Sequence, residues 1–95
     1  MPQAVFTDEE WVTFAREFGR NLQRLRSERN LSQEQLAAAT GLSRSQCQRL
    51  EAGANRSGQP SNPSLRNLLA LATALNTDLT TLVPEALACN ANKQA

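Results

Sequence analysis

The side chains with the most to offer chemically lie between Gln33 and Arg56. Arg44 and Arg49 sit in a short polar run, Ser43 to Glu51, with Ser45, Gln46 and Gln48 beside them and only Cys47 and Leu50 as apolar members. A guanidinium presents a planar fork of donors that fits a phosphate or, through two hydrogen bonds, the O6 and N7 edge of guanine. The rest of the chemical inventory is sparse. There is no His, no Gly-rich phosphate cradle, and the carboxylates fall mostly at helix-cap positions. Two Cys without His match no familiar zinc spacing. The composition therefore predicts neither an enzyme nor a metal- or cofactor-dependent protein.

Charge distribution says more than net charge, which is +1 over 95 residues. Residues 16–56 hold eight Arg (16, 20, 24, 26, 29, 44, 49 and 56) against Glu17, Glu28, Glu34 and Glu51, a net of +4. Residues 1–15 carry Asp8, Glu9 and Glu10 with no base, a net of −3. The positive charge is concentrated where a polyanion would need it, although a solvated Arg-rich helix face has the same composition. Arg24 with Glu28 at i+4 has the spacing of such a solvated pair.

Leu and Ala periodicities with few β-branched residues predict an all-α domain. Thr7-Asp-Glu-Glu10 is a capping box, and Trp11, Phe14, Ala15, Phe18, Leu22 and Leu25 give one apolar face to a helix from about Asp8 to Arg29. Gly19 inside it costs of order 1 kcal/mol relative to Ala, so a kink or break is open there. Asn30 suits a left-handed terminator. Ser32 and Gln35 form the next capping box, ahead of inward Leu36, Ala37 and Thr40. Gly41 permits the positive φ of a tight turn, Leu42 anchors that turn, and Ser43 caps a helix ending at Gly53. Residues 54–62 read as an exposed loop. Asn62 and Pro63 are expected to open a helix whose wide apolar face, Leu65, Leu68, Leu69, Ala72 and Leu75, would make it the most buried element. Asp78 caps a last short helix, Leu79 to Val83, before Pro84.

The stretch Gln33 to Gly53 thus has the layout of a helix-turn-helix: a small residue, Ala37, where two helices cross, Gly41 at the turn, and Leu36, Leu42, Cys47 and Leu50 between them. Together with LQRLRSERNLSQEQLAAATGLSRSQCQRLEAG and NPSLRNLLALATALNTDLTTLV, from Phe18 to Pro84, it resembles the phage-repressor-like family of Cro/cI-type and XRE regulators. That resemblance implies a compact five-helix, lambda-repressor-like domain whose first helix is here extended at its N-terminus. It implies double-stranded DNA as partner, binding as a homodimer, and a role in transcription regulation. By matching position, Arg44, Ser45 and Arg49 would touch base edges. Gln33, Ser43 and Gln48 would meet the backbone or an edge, and Arg26 with Glu51 would form a structural ion pair. Because the loop is longer than in the common family pattern, only Asn55 and Arg56 are offered as phosphate contacts within it.

The expected organisation is a flexible N-terminus at 1–6, a domain at 7–88 and a flexible tail at 89–95. Met1 to Phe6 has neither the basic start nor the apolar core of a signal peptide, and no apolar run reaches membrane-spanning length. A cytoplasmic protein without membrane attachment is expected, lacking a following inducer-binding module. Leu79, Leu82, Val83 and Leu87 are equally suited to a dimer seam or to closing the core. Cys47 reads as a buried substitute for an aliphatic residue rather than a redox switch. The rival function is a protein-interaction module of the same fold, an antitoxin-like partner or co-regulator, using the aromatic N-terminal segment Trp11, Phe14 and Phe18.

Overall fold

The computed structural model describes residues 7–84. The termini expected at 1–6 and 89–95, the end of the expected domain at 85–88, and with it Leu87, lie outside them, as does Cys89. Among the described residues there are five helices: α1 (Asp8–Glu28), α2 (Gln33–Thr40), α3 (Arg44–Ala52), α4 (Leu65–Ala74) and α5 (Leu79–Leu82). Local chemistry accounts for their starts. Thr7, Ser32 and Ser43 each accept from the backbone N–H three residues on, while Glu10, Gln35 and Gln46 reach back to the cap N–H. Three reciprocal capping boxes satisfy amides that would otherwise lack partners at the helix ends. Asp78 caps α5, and hydrogen bonds from Thr81 hold its carboxyl below the usual carboxylate range. Asn30 and Asn76 take the left-handed conformation at φ 57° and 51°, closing α1 and the end of α4.

The core gathers Phe18, Leu22 and Leu25 from α1, Leu36 and Ala37 from α2, Cys47 and Leu50 from α3, Leu71, Ala72 and Leu75 at α4, and Leu82 from α5. Leu31, Leu42, Leu68, Ala74 and Leu79 pack around it. Cys47 is fully buried, and that burial pushes its thiol pKa up, away from the reactive thiolate.

The question left open at Gly19 is settled, and two expectations about α4 are corrected. Helix α1 is continuous through Gly19, and α3 packs more extensively on α1 than on α2. A Cβ at Gly19 would lie 2.4 Å from the Glu51 carbonyl oxygen and 2.7 Å from that of Leu50, so this glycine is a contact surface rather than a hinge. Helix α4 starts two residues later than expected: Ser64 is its cap, not Asn62, and Pro63 precedes the helix. It is also not the most buried element, because Leu65 and Leu69 are 64% and 51% exposed while α1 buries five residues. Leu82 is fully buried and Leu79 packs against the core, so these two close the bundle. Of the residues suggested for a dimer seam, Leu79 and Val83 are both half-buried.

The longer loop is not irregular. Ala54 and Pro60 form an antiparallel bridge, Asn55 N–H donates to Gln59 O at 3.0 Å, and Gly58 N–H donates to Asn55 O at 3.0 Å. The Asn55 carboxamide oxygen accepts from the amides of Ser57 (2.9 Å) and Gln59 (3.0 Å). Residues 54–60 are a miniature hairpin with Arg56 at its tip. Its base is tied to α1, where Trp11 Nε1 donates to Ser61 O at 3.1 Å. The aromatic N-terminal segment is therefore turned onto its own chain: Phe18 is core, and Trp11 and Phe14 are half-buried and stacked, with ring centroids 5.2 Å apart.

Candidate nucleic-acid interface

Helix α3 divides into two faces. One carries Cys47 and Leu50 into the core; the other leaves Arg44, Ser45, Gln48 and Arg49 exposed. So thin an apolar stripe contributes little helix stability by itself, and the angle of α3 depends on its neighbours. The strongest of these supports is ionic. Arg26 Nε donates to Glu51 Oε2 at 2.5 Å and Nη2 to Glu51 Oε1 at 3.0 Å, while Nη1 donates to Leu31 O at 2.7 Å. The two side chains are 14% and 5% exposed, and the hydrogen bond from Arg26 to Glu51 raises the arginine's pKa above its ordinary value. The expected pair thus joins α1 to the end of α3. The second support is steric: Gly53, at φ 82°, lets the end of α3 lie against Arg16, whose Cα would be 2.9 Å from an added Cβ.

Gln33 stands at the N-terminus of α2 and is drawn into the same network. Its Nε2 donates to Glu51 Oε1 at 3.1 Å. That bond uses one of two amide hydrogens and aims the side chain, leaving the other hydrogen's worth of donor capacity for an anion. Arg44 reaches across the turn to Glu34, Nη1 to Oε1 at 3.1 Å, with both side chains well exposed. A pair this solvated is worth about 0.2–1 kcal/mol, so Arg44 exchanges partners at little cost. Ser43 spends its hydroxyl oxygen on the capping box.

The hairpin adds a second edge. Ser45, Gln48 and Arg49 of α3 share one concave surface with Asn55 and Arg56. Asn55 has its carboxamide oxygen committed to the turn, so any phosphate contact from it would come through its nitrogen. Arg56 is exposed at the hairpin tip. Of the remaining arginines, Arg24 pairs with Glu28 at 3.0 Å as its spacing suggested. Arg29 donates its Nε to Leu75 O, closing the end of α4, a structural role that sequence spacing did not signal. Asn21 has a similar one, its Nδ2 donating to Leu82 O at 2.6 Å and Thr81 O at 2.9 Å at the end of α5.

Among the described residues no cluster of His, Cys, Asp or Glu has the makings of a metal site, and no helix is long and apolar enough to cross a membrane. What remains is a surface of exposed amide, hydroxyl and guanidinium donors on a braced helix.

Comparison with known proteins agrees with that geometry. Residues 22–82 match the helix-turn-helix family model. No curated protein matches the chain. Among solved structures, the chain is similar to the restriction-modification controller protein C.AhdI from Aeromonas hydrophila, with 43% sequence identity, a TM-score of 0.63, and coverage of 72% of this chain and 94% of that one.

Proposed function

We propose that this chain, which belongs to the XRE-type helix-turn-helix family of DNA-binding transcriptional regulators, reads an operator by laying Ser43–Glu51 in the major groove. The observation that carries this is the division of α3: after the fold has used Gln46, Cys47, Leu50 and Glu51, the polar side chains left outward are Arg44, Ser45, Gln48 and Arg49. Arg44 and Arg49 take base edges, where each good two-bond contact is worth about 1–3 kcal/mol of discrimination, and Ser45 and Gln48 take neighbouring edges or backbone. Gln33 and Ser43, at the N-termini of α2 and α3, meet phosphates, where oriented amides favour an anion. Arg56, with the Asn55 nitrogen, meets phosphate from the hairpin. The protein acts in the cytoplasm as a two-fold homodimer on a pseudo-palindromic site with half-sites about 34 Å apart.

Selection of bound duplexes from random DNA tests this. Enrichment of a two-fold motif is expected. Arg44→Ala should relax preference at one base pair, whereas Gln33→Ala should weaken binding to all sequences alike. Absence of any enriched motif, or indifference of both affinity and preference to these changes, would sink the assignment.

A further inference from the structure

The hairpin at 54–60 has almost no apolar content of its own, and a two-stranded turn of this size is marginal in water. What places it is Ser61, which makes three hydrogen bonds, two to the end of α3 and one to α1. Its N–H donates to Gly53 O at 2.9 Å and its hydroxyl donates to Arg49 O at 3.1 Å, both at the end of α3. Its carbonyl accepts from Trp11 Nε1 at 3.1 Å, the one bond of the three that arrives from outside the helix-turn-helix. The indole is held in turn by its stack on Phe14, near-parallel at 20°. Beyond Ser61 the strand returns through Pro60 and Gln59, paired to Ala54 and Asn55, to the tip at Arg56 beside Arg49 and Gln48.

Taking DNA binding as proposed above, we infer that Trp11 is a positioning residue for it: its indole N–H latches the hairpin base so that Arg56 meets a phosphate flanking the groove read by α3. The N-terminal extension of α1 thereby takes part in binding without touching DNA. A released hairpin would have to be ordered at the moment of binding, and the entropy of that ordering would be subtracted from affinity. Because the lost contact is to a phosphate, affinity should fall alike for all sequences, and base preference should not move.

The test uses the full chain and a duplex obtained by the selection above, with affinity measured across a salt series for wild type, Trp11→Phe, Arg56→Ala and the double variant. Trp11→Phe should weaken binding about three- to tenfold, the scale of one hydrogen bond, and should lower the slope of log affinity against log salt by about 1, the scale of one phosphate. In the Arg56→Ala background the same change should have no further effect. Equal losses in both backgrounds, or an unchanged slope, would overturn the inference and leave Trp11 a packing residue. Should Trp11→Phe fail to fold, benzothienylalanine at position 11 keeps the bicyclic ring and removes the N–H alone, with the same expectations. Wild type that binds no duplex with salt dependence is a separate outcome, which overturns the DNA-binding assignment itself.

Discussion

The two ends of α3 behave oppositely. On the α1 side, Arg26, Glu51, Gly19 and Gly53 are packed so closely that no buried side-chain nitrogen or oxygen lacks a partner and no Cβ can be added without meeting backbone. On the solvent side, the Arg44–Glu34 pair is 65% and 72% exposed and makes a single hydrogen bond. Both regions hold an arginine facing a glutamate, yet shielding gives the two pairs different jobs. A shielded pair fixes an angle, because removing either partner strands a charge away from water. An exposed pair fixes almost nothing, and its arginine is available to a polyanion. Charge content alone does not separate a brace from a contact surface; burial does.

That contrast can be broken most directly at Glu51. Glu51→Ala should cost about 3–5 kcal/mol in urea unfolding, since Arg26 and Gln33 lose their shared acceptor; a loss under 1 kcal/mol would mean that the pair braces nothing. Gly19→Ala should cost about 1–3 kcal/mol by overpacking α1 against the end of α3. The helix-propensity scale alone would make the same change stabilising, so the sign of the effect decides between the two. Glu34→Gln should leave stability within about 1 kcal/mol of wild type by thermal unfolding. A larger loss would show that the exposed pair carries structural weight after all.

Much of this was legible beforehand where the determining interaction is local. Capping boxes depend on residues three apart, so Thr7, Ser32 and Ser43 were readable as helix starts, as were the left-handed closures at Asn30 and Gly41. The same logic misled at α4, where Asn62 and Ser64 are both good caps. Ser61 is tied back to Gly53 and Trp11, which keeps Asn62 in the connection that follows the hairpin and leaves Ser64 to start the helix. Leu65 and Leu69 carry helical spacing but sit past the edge of the core, because periodicity reports a face without reporting what covers it.

The candidate site divides along the same line. The sequence by itself determined the polar composition of Ser43–Glu51, the turn at Gly41 and the placement of arginines around them, because each follows from residue type and short spacing. The Arg26–Glu51 partnership entered through family resemblance, since twenty-five residues of chain separate its members and no local rule joins them. Only the tertiary structure decided that Gly19 is a contact rather than a kink, that Arg29 closes the end of α4, and that residues 54–60 are a hairpin held by Trp11. The physical reason is common to all three. Each depends on a backbone carbonyl brought close from a distant part of the chain, and backbone carbonyls are the same at every position in a sequence.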